Sequence, residues 1–179
     1  MRVGVIGPTD IHRTAAAAGL DPVACERAAA EAGAQLAQKG YELVVVPDRG
    51  VGLLAAEAYR AACGRRLIGI VPRGGTPGQA AANHCDQHRY LCDEVVDDLD
   101  WTEQHERICK LSGVLLCIGL SCGTISEIAW TKWVGNTPVI VLRSLISAVP
   151  PEVEAETDLR WEDDLEHALR LLRQILVEE

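Results

Sequence analysis

Residues 114 to 127 read Val-Leu-Leu-Cys-Ile-Gly-Leu-Ser-Cys-Gly-Thr-Ile-Ser-Glu, and the meaning of this stretch decides the fold. Val114 to Ile118 is a short apolar run without polar alternation, which suits a strand buried on both faces of a parallel sheet. Gly119, Ser121 and Gly123 loosen the backbone after it. Thr124 and Glu127 then stand at the T-x-x-E spacing that opens a helix. Strand, small-residue turn and helix N-terminus together suit an anion. Free N–H groups point out of the first helical turn, and small residues let a phosphate come close. An ordinary strand-to-helix turn closed by a capping box accounts for the same letters.

The chain repeats that unit on either side. Arg2 to Ile6 is a β-run broken by Gly7-Pro8-Thr9-Asp10, as at the start of a nucleotide-binding α/β sheet. Thr9 to Leu20 is ambiguous and fits a loop with a short helix. Asp21-Pro22 starts a helix whose apolar positions recur through Cys25, Ala28, Ala29, Ala32 and Leu36 until Gly40. Glu42 to Val46 is a second strand. Its turn, Pro47-Asp48-Arg49-Gly50-Val51-Gly52, opens an Ala-rich helix from Leu53 to Cys63, and Arg49 is placed to meet a phosphate or to be a solvated surface arginine. Leu67 to Val71 is a third strand, followed by the turn-rich stretch Arg73 to Gln79. This β-α-β-α-β order implies a parallel sheet with right-handed crossovers. Thr102 to Leu111 reads as a helix and Pro138 to Leu142 as a strand. Glu152 to Thr157 reads as an acidic turn, and Trp161 to Asp164 as the lead into a last amphipathic helix with its stripe at Leu165, Leu169, Leu172 and Ile175. The expected fold is α/β: a single Rossmann-like three-layer domain over residues 1–179, with a mostly parallel sheet of roughly five to seven strands.

Bulk properties narrow the function. A chain of 179 residues supports one full-sized core. Its net charge of −9 argues against a nucleic-acid polymer as partner, because phosphate backbones need a basic surface. No apolar run approaches the roughly 20 residues that span a bilayer, and no secretion signal precedes Arg2 to Ile6, so no membrane role is expected. Seven scattered cysteines fit free thiols in a reducing cytoplasm better than a disulfide framework. Cys85, His88 and Cys92, with His84 beside them, would share a helical face and could hold zinc with a further ligand. Only a partial ligand set is present, so the segment reads as a polar insertion and no metal is expected. Asp93 to Asp100 reads as a solvated edge.

Gly123-Thr124-Ile125-Ser126-Glu127-Ile128, followed by Pro138-Val139-Ile140-Val141-Leu142, resembles the signature of the LOG-like or "lysine decarboxylase-like" family of the SLOG superfamily. That group includes the molybdenum-cofactor carrier proteins, and this chain looks nearest to the carrier-like branch. The family's hallmark is P-G-G-x-G-T-x-x-E, or G-G-G-x-G-T-x-x-E in the carrier-like branch. Here G-T-x-x-E is intact, while Leu120 and Ser121 stand where the family has Gly-Gly. The Gly50-Val51-Gly52 turn is similar to the family's first glycine loop. The family's arginine position falls on Gln104-His105, with Arg107 one turn further along the same helical face.

The resemblance implies a site that holds a ligand through Gly7, Pro8, Arg49, Gly50, Gly52, Gly119, Ser121, Cys122, Gly123 and Thr124, with Glu127 and Arg107 as the catalytic candidates. The function it implies is binding of a nucleotide or nucleotide-like phosphorylated cofactor, with no further cofactor required. The alternative is a phosphoribohydrolase that cuts the N-glycosidic bond of a nucleoside 5′-monophosphate. There Glu127 would stabilise an oxocarbenium-like centre and a cation would hold the phosphate. Lysine decarboxylation is discounted, because Lys39, Lys110 and Lys132 lie outside any glycine-rich loop suited to a Schiff-base cofactor. The resemblance also implies a homodimer paired through the helix that carries Trp130 and Trp133; taken alone, those tryptophans fit a core face equally well.

Overall fold

A computed structural model describes residues 1–74 and 84–175. Strand β1 (Arg2–Ile6) leads through Gly7 to Asp10 into helix α1 (Ile11–Ala18), followed by α2 (Pro22–Gln38). Thr9 to Leu20 is therefore largely helical. Asp10 starts α1 by accepting the Arg13 N–H at 3.1 Å, and Asp21 starts α2 by accepting the Val23 N–H at 2.9 Å. Pro22 takes the first helical position, where its missing N–H costs nothing. Next come β2 (Glu42–Val45), α3 (Gly50–Ala61) and β3 (Leu67–Ile70). Gly75 to Asn83, which covers most of the turn-rich stretch and the start of the Cys/His segment, lies outside the described residues. The chain continues with a 3₁₀ turn over Cys85–Leu91, then β4 (Glu94–Val96), α4 (Gln104–Leu111), β5 (Val114–Cys117), α5 (Cys122–Thr131), β6 (Val139–Leu142), α6 (Pro151–Glu156), β7 (Leu159–Glu162) and α7 (Leu165–Ile175).

The strands form one seven-stranded sheet in the order β4-β3-β2-β1-β5-β6-β7, and every pairing is parallel. The chain runs outward from β1 to β4, then returns to pair β5 with the free side of β1. The topological switch point therefore lies between β1 and β5, and open α/β sheets bind their ligands outside the carboxyl ends of strands at such a point. Past Arg2 and Glu42, which open β1 and β2, the central strands carry no polar side chain because both faces are covered. Val3, Val5, Leu43, Val45, Val114 and Leu116 face the layer of α2, α3 and α7. Ile6, Val44, Leu115 and Cys117 face the other layer, with Ile108 and Cys109 of α4 and Ile128 of α5. These are the three layers expected of the fold.

Two elements differ from the sequence expectation. Leu159 to Glu162 is a strand, pairing in register from Val139 with Leu159 to Leu142 with Glu162. It is an edge strand, half-buried throughout, so it lacks the solid apolar run that marks the inner strands. Glu152 to Glu156 belongs to a helix rather than a turn. Pro151 at its start, with Glu152 and Glu154 in its first turn, suits a helix N-terminus, and six residues are too few to show an apolar stripe. The acidic stretch after Cys92 holds the short strand β4 at the opposite edge of the sheet.

Helices α2 and α3 approach so closely that Gly33 has no room for a side chain. A Cβ there would stand 2.1 Å from the carbonyl oxygen of Ala55. Because the obstacle is backbone, relief requires a helix to move. Overpacking of this kind costs about 1–3 kcal/mol, against at most about 1 kcal/mol gained from alanine's better helix propensity. Gly33→Ala is therefore expected to lower stability by about 1–2 kcal/mol, read as a lower urea midpoint at unchanged m-value. An unchanged midpoint would show that the two helices slide apart freely.

Candidate ligand-binding site

The turns after β1, β2 and β5 all open on the carboxyl edge of the sheet, where they line a cavity of about 470 Å³. Gly7, Thr9, Asp10, Arg13 and Thr14 come from the first turn and α1, Arg49 and Gly52 from the second, and Ser121, Cys122, Gly123, Thr124 and Glu127 from α5. The fourth side is Trp101, Gln104, His105 and Ile108, in and before α4.

The glycines divide into two groups. Gly52 and Gly123 line the cavity, whereas Gly50 and Gly119 do not. Gly50 has φ of +56°, and a Cβ there would lie 2.2 Å from the Pro8 carbonyl oxygen. The Val51 N–H donates to that same oxygen at 3.1 Å. Gly7 is similarly constrained by the Ile118 carbonyl oxygen, 2.3 Å from a Cβ position. Gly119 and Pro8 line a second, more apolar cavity of about 420 Å³ on the other side of α1, with Cys25, Leu145 and Ile146. Gly7 and Gly50 thus let loop backbones meet, while Gly119 makes room for the Pro8 ring and the Cys25 thiol, which sets the position of the cavity walls.

The start of α5 differs from the spacing-based reading. The N-cap is Ser121, whose Oγ accepts the Thr124 N–H at 3.2 Å. Thr124 is already in the first turn, which places Glu127 too far along the helix to reach the N-cap, so the Thr124/Glu127 capping box does not form. Glu127 is instead 8% exposed and faces α4, where His105 Nδ1 lies 3.2 Å from its Oε1. Burial pushes the Glu127 carboxyl above the usual carboxylate range, and the contact with His105 pulls it part of the way back. The Cys109 thiol bridges the two helices, donating to the carbonyls of His105 at 3.0 Å and Glu127 at 3.2 Å. Buried beside that carboxylate, it is held well above the ordinary thiol range.

Gln104 is only 3% exposed and lines the cavity, and its side-chain amide has no hydrogen-bond partner among the described residues. The amide atoms open onto the cavity, so a ligand edge bearing donors and acceptors would meet an amide with bonds still to make. Trp101 beside it is fixed by its neighbours. Asp100 Oδ1 accepts from the N–H groups of Thr102 at 2.8 Å and Glu103 at 3.1 Å, while the Asp100 N–H donates to Glu103 Oε2 at 2.7 Å. These bonds hold the Asp100 carboxyl below its usual range.

Arg49 lies 3.6 Å from Asp48 through its Nε and lines the cavity with Arg13, whose guanidinium has no ion pair among the described residues. Arg107 is elsewhere: it donates to Asp98 Oδ1 at 2.8 Å and lines neither cavity. The residue that meets Glu127 is His105, at the position onto which the resemblance placed the family's arginine. Of the Cys/His segment, His88 Nδ1 is 2.7 Å from the Pro47 carbonyl oxygen, and among the described residues no group of three or more His, Cys, Asp or Glu side chains converges on a metal position. Sequence reasoning did not single out Arg13, Trp101 or Gln104 as ligand contacts. Asp10 was an N-cap signal that would have started a helix at Ile11 and placed Arg13 in its first turn.

A model of the SLOG cluster4 family matches residues 1–169. The chain belongs to that family. No curated protein matches it. Among solved structures, this SLOG cluster4 protein is similar to the molybdenum cofactor carrier protein from Chlamydomonas reinhardtii, at 22% identity over 98% of both chains with a TM-score of 0.71. It is also similar to the molybdenum cofactor binding protein from Rippkaea orientalis, at 22% identity over 98% of this chain and 96% of that one, TM-score 0.70. DNA processing protein A from Helicobacter pylori aligns at 14% identity over 97% of this chain and 80% of that one, TM-score 0.68. At these identities the likeness establishes a shared fold.

Since Glu127 caps nothing, Glu127→Gln separates a structural carboxylate from one the site uses. A carboxyl raised by burial favours the folded state most at low pH, and that contribution is lost as pH rises through the folded-state value. The variant is expected to be at least as stable as wild type near pH 7, with the difference narrowing in acid. Urea titrations at the two pH values check this, and a clear loss of stability at pH 7 would return Glu127 to a structural role.

Proposed function

We propose that this protein binds a nucleotide or nucleotide-like phosphorylated cofactor in the cavity between α1, α4 and α5. The observation that carries the reading is the Gln104 amide, without a hydrogen-bond partner among the described residues, lining the same cavity as the first turn of α5. The two ends suit a bipartite ligand. Ser121 to Thr124 present the N-terminal turn of a helix to an anion, and Arg13 and Arg49 supply fixed positive charge. Gln104 offers a donor and an acceptor to a heterocycle edge, and Trp101 a flat face for its ring. Proteins of this fold named as carriers or binders of molybdenum cofactor make that compound the first candidate beside the nucleoside monophosphates. The net charge of −9 disfavours a single-stranded nucleic acid on this chain.

A second reading, hydrolysis of a nucleoside 5′-monophosphate at its N-glycosidic bond, is favoured by the Glu127–His105 pair, which puts a carboxylate and a proton-carrying group in the cavity. Release of free base from AMP or its relatives would establish it; binding without release supports the carrier reading.

Among the described residues no helix is long and apolar enough to cross a membrane. The exposed thiols of Cys63 and Cys122 suit a reducing cytoplasm. The helix expected to carry both tryptophans ends at Thr131, so Trp130, 39% exposed, is on α5 and Trp133, 72% exposed, is in the turn that follows, side by side with Ala129 and Ser126. An apolar patch of this kind, at the end of the element that opens the site, fits an isologous homodimer with the sites near its axis. Sedimentation is expected to give about twice the 19.3 kDa chain mass, and a monomer at micromolar concentration would refute the pairing.

The ligand test uses both exposed thiols. AMP at about 100-fold its dissociation constant should stabilise the chain by about 2.7 kcal/mol. It should also protect Cys122, at the cavity, from alkylation while leaving Cys63 unprotected. Equal labelling of both thiols at saturating nucleoside monophosphate and molybdenum cofactor would dismiss the cavity as the site.

A further inference from the structure

Among the described residues His105 is the sole imidazole lining the cavity. Its Nδ1 faces Glu127 Oε1 at 3.2 Å, and wherever that carboxylate is ionised it only accepts, so the contact then takes its proton from Nδ1. Nε2 has no hydrogen-bond partner among the described residues. The side chain is 22% exposed, and its Cε1, the carbon between the two nitrogens, lies 3.2 Å from where a Cβ on Gly123 would stand. The ring edge therefore rests against the first turn of α5, the same turn that suits an anion.

The two protonation states of this ring offer different chemistry to that anion. A neutral imidazole has one N–H, already committed to Glu127, so Nε2 presents a lone pair and the buried carboxylate charge is uncompensated. An imidazolium has a second N–H at Nε2, and its pair with Glu127 is neutral as a whole. On the reading that the cavity takes a phosphorylated ligand, we propose that His105 decides when it does so: as imidazolium held by Glu127 it donates Nε2–H to the phosphate, and as neutral imidazole it repels it.

The surrounding charges leave this control with His105 and the Glu127 carboxyl that holds it. From α5 come Glu127 and Cys122, from the β1 turn and α1 Asp10 and Arg13, and from the β2 turn Arg49 with Asp48. On α4, Arg107 is bonded to Asp98 and Lys110 to Glu106, and Cys109 donates to backbone. Asp100 and Glu103 are engaged with each other and with Thr102 before the helix. Of the strands under α4, β1 and β2 contribute Arg2 and Glu42, paired at their N-terminal ends, and β3 has no charged residue. Arg13 and Arg49 stay charged throughout the physiological range, so they provide a constant background attraction.

The test is calorimetric titration of the full chain between about pH 5 and about pH 8, where histidine changes charge. Sulfate and AMP are the probes, in buffer free of phosphate; sulfate keeps its charge across this range, so its profile reports the protein. Wild-type affinity for sulfate should fall with rising pH across this range, by up to about tenfold per pH unit, the slope of one linked proton. His105→Arg, with permanent charge, should bind with a flat profile. His105→Gln should bind with a flat profile at the weak level wild type shows at high pH. The ring is partly exposed, so both variants should fold, which circular dichroism checks. A flat wild-type profile, or a slope that persists in His105→Gln, overturns the role of His105 while AMP binding leaves the site itself standing. Wild type that takes up neither probe at any pH overturns both.

Discussion

The site depends on the pairing of β1 with β5. These strands are far apart in the chain and become neighbours because the path returns across β1 after laying down β4. Their carboxyl ends converge where Gly7 lies against the Ile118 carbonyl oxygen, a contact that excludes any side chain. The turn after β1 and the start of α5 are thereby fixed side by side, with α4 across from them. Without that crossing, a phosphate-suited helix start and the amide and arginine side chains would not share one cavity.

The pairing imposes its own polar chemistry. The strands consume their backbone donors and acceptors in the ladder and bury both faces, so polar groups accumulate at their carboxyl ends, where backbone and side chains still have bonds to offer. Glu127 shows the result. It sits in the second turn of a helix, against a neighbouring helix, with a histidine as its hydrogen-bond partner and a carboxyl raised by burial. A carboxylate kept there without a cap to make is a cost to the fold, and such costs concentrate where function is carried.

The sequence made the skeleton legible because its strands are short unbroken apolar runs, such as Val114 to Ile118, bounded by glycine. It failed at Leu159 to Glu162 and Pro151 to Glu156, where local letters are half polar and the structure comes from the neighbouring strand and a proline start. In the site, the residues of α5 could be placed from their motif, but the role of Glu127 could not, since T-x-x-E spacing is shared by capping boxes and by this buried pair. Arg107 and His105 are two positions apart on one helix. Only the rotation of α4 against α5 reveals that the histidine faces inward and the arginine pairs with Asp98.

Trp101, Gln104 and His105 belong to one stretch of five residues, braced at its start by the Asp100–Glu103 exchange and joined to the core through Ile108 further along α4. The opposite wall is made by turns whose backbones are locked to one another. One wall of the cavity is therefore a compact cassette, and the other is scaffold. A few replacements within the cassette would reshape the cavity while the strands and the α5 start stay intact, so anyone redesigning the pocket has one short stretch to work with.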